Sequence, residues 1–139
     1  MILTAPLSEL QKRGAALIAA AAAETCSGCD VRWPALFALE DSGALAVRIV
    51  EVDGELVGYG VAAAVPALFS SGVTCTTLSV FVLPAHRGRW GRQLLDTLAT
   101  WAREERGVPL HVQAVPGSRL ERLARRLLWR PVAVAFEAV

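Results

Sequence analysis

The 139-residue chain is long enough to enclose a hydrophobic core and short enough to be one domain, residues 1–139. Apolar residues make up 54% and charged residues 19%, which excludes an intrinsically disordered chain. The formal net charge is +1, so the overall field gives no case for a nucleic acid or a membrane surface as partner. No basic segment precedes an apolar run at the N-terminus, and the apolar part of residues 15–23 is mostly alanine and too short to span a bilayer. A soluble, cytoplasmic protein is therefore expected. Three cysteines, an odd number, argue against a disulfide scaffold. Cys26 and Cys29 form a CxxC without the second pair or nearby histidines that a zinc site needs, so no metal is expected.

Residues 1–5 read as a short edge strand. Ser8 followed by Gln11 has the form of a capping box, with Glu9 in the first turn, and predicts a helix running to about Thr25. Leu10, Leu17, Ile18 and Ala21 share one face of it, and Gly28 is placed to end it. Trp33-Pro34 reads as a helix entry, with Ala35 to Glu40 a short second helix closed by Asp41-Ser42-Gly43. A hairpin follows: Leu45 to Val52, a turn at Asp53-Gly54, and Glu55 to Val65. On its first arm Val47, Ile49 and Glu51 face one way, and Arg48, Val50 and Val52 the other. Gly58 and Gly60 inside the return strand mark a bulge or close packing on the backbone. Residues 66–72 form a loop that places Phe69 at the surface.

Thr74 to Leu83 is rich in β-branched and aromatic residues and reads as a central strand buried on both faces. Pro84 cannot donate to a ladder and stops it. A loop with Gly88, Gly91, Arg87, Arg89 and Arg92 follows. Leu94, Leu95, Leu98 and Trp101 then recur at helical spacing as far as about Glu105. A strand that runs through such a loop into a helix N-terminus suits an anion, because the first turn presents unpaired N–H groups and a favourable dipole. The glycines allow close approach, and the arginines can grip a diphosphate. Gly107-Val108-Pro109 breaks the helix. Leu110 to Val115 is a strand reached by a helical crossover, hence parallel to the central one. After Pro116-Gly117, Ser118 caps a helix that buries Leu120, Leu123, Ala124, Leu127 and Leu128 and leaves Arg119, Arg122, Arg125 and Arg126 solvated. Pro131 ends it, and Val132 to Ala138 alternates as a final strand.

This order of elements resembles the GNAT superfamily of acyl-CoA-dependent N-acyltransferases, above all from Leu78 to Leu95 and at Leu127-Leu128-Trp129-Arg130-Pro131. The compact form is most similar to small phage-type and bacterial members. The resemblance implies an α/β (α+β) fold: a mixed, mostly antiparallel sheet with a splayed parallel strand pair at its centre, flanked by about four helices. It also implies acetyl-CoA as cosubstrate, no metal and an amine acceptor. Val82-Leu83-Pro84 matches the end of the family's central strand. There the backbone groups of Phe81, Val82 and Leu83 would bond the pantetheine arm, and one N–H would polarise the thioester carbonyl. His86-Arg87-Gly88-Arg89-Trp90-Gly91-Arg92 would be the pyrophosphate loop. That loop departs from the family's spacing: counted from Arg87, the small positions fall on Trp90 and Arg92, and counted from His86, on Arg89 and Gly91, so one glycine is missing either way.

The family's usual carboxylate on the central strand is missing, since Thr74-Cys75-Thr76-Thr77 stand there. The last helix has no tyrosine, and Tyr59 is the only one in the chain. Candidate replacement bases are Glu51, Asp53, Glu137 and His111; Cys75 could serve as a nucleophile only with an activating partner. The implied function is transfer of acetyl from acetyl-CoA to a primary amine by direct attack in a ternary complex. Two other readings stay open: an acyl-CoA-binding module without turnover, and a partner-binding protein that uses the arginine face of the last helix. Exposed sheet edges and Trp129 leave room for a homodimer.

Overall fold

The computed structural model describes residues 1–25, 30–67, 72–132, 136 and 138. Expectations for Cys26, Gly28, Cys29, Phe69, Glu137 and most of Val132 to Ala138 lie outside those residues. Among the described residues, five strands, β1 (Ile2–Thr4), β2 (Leu45–Val52), β3 (Glu55–Pro66), β4 (Val73–Val82) and β5 (Leu110–His111), form one sheet in the order β1-β2-β3-β4-β5. Every neighbouring pair is antiparallel except β4 and β5, which run parallel. The chain reverses between β2 and β3 with Asp53 at φ 52° and Gly54 at φ 78°. Positive φ at both central residues is what a two-residue hairpin turn demands and what Asp-Gly tolerates.

The helices α1 (Leu7–Arg13), α2 (Ala15–Thr25) and α3 (Trp33–Asp41) precede the hairpin, and α1 and α2 cover one face of the sheet. Leu7, Leu10, Leu17 and Ala21 bury against Val47, Ile49, Tyr59, Val61 and Phe81 there. The expected single helix from Ser8 is thus two helices joined at Gly14. A Cβ at Gly14 would stand 2.5 Å from Leu10 O and 2.7 Å from Leu10 Cδ1, so the bend relies on its bare backbone. The Ser8 cap does not form: α1 begins after Pro6 without a side-chain cap. Instead Glu40, from α3, accepts the Leu7 N–H at 2.6 Å. A carboxylate from another helix answers the orphan donor and favours the positive end of the dipole.

The opposite face is covered by α4 (Arg89–Arg106), whose Leu94, Leu95, Leu98, Trp101 and Ala102 are buried. Leu94, Leu98, Trp101 and Ala102 rest on Ala46, Val50, Ala62, Ala64, Cys75 and Val82. The sheet is small-residue-rich beneath the helix, and Gly60 marks a close approach. A Cβ there would lie 2.9 Å from Leu98 Cδ1 and 3.2 Å from Leu94 Cδ1. α4 starts earlier than its leucines suggest, because Arg89 to Arg92 form its first turn rather than a loop. It ends at Gly107, in the left-handed conformation that closes many helices.

Two further expectations are corrected. β5 is paired only at Leu110 and His111, not as far as Val115. α5 (Arg119–Arg126) stops before Leu127, and Leu128 is 90% exposed with φ 61°. The Ser118 hydroxyl does cap α5, accepting the Glu121 N–H at 3.3 Å.

Placing a valine at Gly60 should overpack the α4 contact and cost about 1–3 kcal/mol in urea denaturation. Gly91→Ala is the control. A Cβ at that helical position meets only Leu123 Cδ2 at 3.4 Å, so it should be neutral or stabilising by at most about 1 kcal/mol.

Candidate active site

Two features open the sheet along β4. The register between β3 and β4 slips after Val61, which pairs with Ser79, because Ala62 pairs with Thr77. Leu78 is therefore an extra residue, a bulge that adds twist and bends the strand. On the other side β4 meets β5 only at Cys75–Leu110 and Thr76–His111. The last link across the gap is a side chain: the Gln113 N–H donates to Thr77 Oγ1 at 3.2 Å. From Leu78 onward, among the described residues, β4 has a strand partner on one edge alone.

Alternation then decides which backbone groups are free. The Leu83 N–H donates to Val57 O at 2.8 Å, so Leu83, Phe81 and Ser79 direct their groups toward β3. Val80 and Val82 direct theirs into the gap. Of the three residues expected to offer backbone groups, Val82 is thus the one turned outward, and Leu83 N–H is already engaged.

β4 runs through a single 3₁₀ turn, Pro84–His86, to Gly88 at φ 79°, the N-cap of α4. Gly88 carries no side chain, so the N–H groups of Arg89, Trp90 and Gly91 have no capping partner among the described residues. Trp90 and Arg89 stack at 4.8 Å between guanidinium carbon and ring centre. Arg92 lies exposed, with its Nε 3.9 Å from Asp96 Oδ2. Arg87 behaves differently. It folds back, its Nε donating to Val82 O at 2.7 Å and its Nη2 to Glu24 Oε1 at 2.8 Å, with the guanidinium 5.3 Å from the Phe81 ring centre.

The candidate bases scatter. Glu51 lies on β2, two strands from β4, and pairs with Arg13 at 2.7 Å. Asp53 sits in the hairpin turn. His111 is exposed at the closed end of the gap, opposite Thr76. Cys75 is fully buried beside it, and burial pushes its thiol up, only partly opposed by Arg106. That is the reverse of an activated thiolate.

Sequence reasoning missed three residues that hydrogen-bond beside the gap. Thr77, one strand threonine among several, bridges to Gln113. Glu24, at the tail of α2, reaches Arg87. Tyr59 OH lies 2.8 Å from Ser79 Oγ, on the α1–α2 face and just past the bulge. Tyr59 is buried, and that burial raises its phenol despite the bond to Ser79. Two residues facing each other across β3 and β4 can be paired only once the bulged register is known.

Among the described residues no cluster of His, Cys, Asp or Glu could hold a metal ion, and no helix is long and apolar enough to cross a membrane. An open groove of about 350 Å³ lies away from the gap, between α4 and the β1–β2 edge, and includes Arg48, Thr100 and Glu105. Burial lowers the Arg48 guanidinium there, against the pull of Glu105. Trp129 packs half-buried against the cluster around Cys75 and Trp101, so it is held within the chain.

Comparison with solved structures finds the same fold at low identity. A ribosomal-protein-alanine N-acetyltransferase from Brucella melitensis biovar Abortus 2308 is 22% identical over 100% of this chain and 96% of its own, with a TM-score of 0.74. An aminoglycoside acetyltransferase from an uncultured soil metagenomic sample is 19% identical over 100% and 97%, at 0.76. AAC(6')-Iy, in complex with the bisubstrate analogue CoA-S-monomethyl-acetylneamine, is 19% identical over 100% and 97%, at 0.75. No curated protein sequence matches. The model of the acetyltransferase (GNAT) family matches residues 9–128. With that match spanning most of the chain, and with a bulged β4 parting from a parallel β5 beside the N-terminus of α4, the chain belongs to the GNAT acetyltransferase family.

Proposed function

We propose that the chain transfers an acetyl group from acetyl-CoA to an amine, by direct attack while both substrates are bound. The observation that carries this reading is the gap between β4 and β5, with Val80 and Val82 turned into it. The residues present suit the coenzyme. An extended arm carrying amides can add to β4 where a strand is missing, taking its N–H and C=O groups from Val80 and Val82. A diphosphate suits the uncapped N–H groups of Arg89, Trp90 and Gly91, and no side chain at Gly88 fills the approach. Arg89 and Arg92 are exposed on the same turn and can turn to it. Bound there, acetyl-CoA supplies an activated acyl thioester.

The protein's own contribution is to hold and to move a proton. The Val82 N–H is aimed into the gap and can polarise a carbonyl that sits against the strand. No carboxylate stands on β4. The hydroxyl pair of Ser79 and Tyr59 is the proton-carrying group next to the bulge, and Ser79 Oγ can give or take a proton while Tyr59 holds its orientation. The similar structures are named for a protein's alanine and for aminoglycosides, so amines of a protein or of a small molecule are acceptors the fold accommodates.

A second reading is binding of acyl-CoA without turnover, favoured by the absence of a carboxylate on β4. Titration with acetyl-CoA in a thermal-shift assay tests the shared part. At about 100 times Kd a native-state ligand adds about 2.7 kcal/mol, a rise on the order of 5–10 °C. No rise at millimolar acetyl-CoA sinks both readings. Thioester consumption against an amine panel separates them, since a rise in Tm with no transfer leaves only the binding module.

Ser79→Ala tests the proton path. It should lower the transfer rate at saturating substrates by about 100-fold, while calorimetric affinity for coenzyme A stays unchanged. An unaltered rate removes the hydroxyl pair from the mechanism.

A further inference from the structure

The guanidinium of Arg87 faces a choice that the fold leaves visible. Its Nε is bound to Val82 O, one of the backbone groups directed into the gap. Its Nη2 is bound to Glu24 on α2, with the two side chains 21% and 48% exposed. Its Nη1 is buried without an acceptor among the described residues. A guanidinium offers five N–H donors in a rigid fork, and a buried nitrogen left unanswered is costly. The resting position is therefore a compromise, held by one backbone carbonyl and one half-exposed carboxylate. The uncapped amides of Arg89 to Gly91 begin two residues along the chain.

We infer that Glu24 sets coenzyme affinity through Arg87, as an intramolecular competitor of the diphosphate. With no coenzyme, the carboxylate draws Arg87 back across the end of β4, over Phe81 and onto Val82 O. A diphosphate at the N-terminus of α4 offers the same guanidinium a more highly charged, bidentate partner. Binding moves Arg87 from Glu24 to the coenzyme and clears Val82 for the arm. The movement also frees α2 from its tie to the end of β4, so coenzyme binding loosens one wall of the face that carries Tyr59 and Ser79. Glu24 is thus a positioning residue that acts on the coenzyme only through Arg87. This rests on the coenzyme reading above.

A double-mutant cycle read by calorimetry, with coenzyme A as the titrant, tests it. Glu24→Gln keeps the side-chain shape and removes the charge at a half-exposed site. Coenzyme A should then bind about two- to fivefold tighter, the range expected for releasing a half-exposed ion pair. Arg87→Ala should bind it more weakly than the parent chain. In the Arg87→Ala background, Glu24→Gln should have no effect. The proposal is overturned if Glu24→Gln leaves the parent affinity unchanged or weakens it. It is equally overturned if the same tightening appears without Arg87, because the carboxylate would then act by direct repulsion of the diphosphate. A parent chain that shows no binding of coenzyme A contradicts the coenzyme reading itself, a distinct outcome. A cooperative thermal unfolding of Glu24→Gln, lowered by no more than the few degrees that one half-exposed ion pair accounts for, confirms that the comparison is between folded proteins.

Discussion

One extra residue in β4 governs the molecule. A strand with neighbours on both sides must keep its hydrogen bonds in register with each, and the bulge at Leu78 breaks that condition. Up to Thr76 the strand satisfies both β3 and β5; beyond it, among the described residues, β3 alone. Thr77 bridges the point of separation with a hydroxyl where the main chain can no longer reach. The consequence is a pair of outward valines whose backbone groups have no strand partner on the gap side among the described residues. Groups of that kind are expensive to bury and are ready to pair with an extended ligand.

The gap is useful only because α4 begins where β4 ends. That placement depends on packing rather than on the loop. Gly60, Ala62 and Ala64 leave β3 nearly bare, so Leu94 and Leu98 descend onto the sheet and fix the depth of the helix. Its N-terminus is thereby held a single 3₁₀ turn from Val82. The dipole, the uncapped amides and the free strand edge converge on one end of the gap. On the other face, α1 and α2 pack over Phe81 and Tyr59, and Arg87 ties that face to the strand end through Glu24.

Much of this was legible in the residues because it rests on local rules. Asp53-Gly54 announces its turn because both positions need positive φ. Gly60 inside a strand signals close packing, and α4 shows its buried stripe. The acetyltransferase fold followed from element order and from the Val82-Leu83-Pro84 step. What escaped depends on contacts distant in sequence. Glu40 caps α1 from 33 residues away, and Arg87 reaches Glu24 across 63. The bulge is a mismatch between two strands, so neither strand shows it alone. Arginines in a glycine loop read as phosphate ligands. No local pattern reveals that one of them is already committed to a carbonyl and a carboxylate.

The central claim is that β4 presents Val80 and Val82 to a ligand rather than to a strand. Amide hydrogen exchange along β4, with and without coenzyme A, tests it residue by residue. In the free protein, the Val80 and Val82 amides should exchange faster than those of Phe81 and Leu83, and Val82 should become protected when coenzyme A is added. Equal, slow exchange along the whole strand in the free protein, or a Val82 amide indifferent to saturating coenzyme A, would contradict the account.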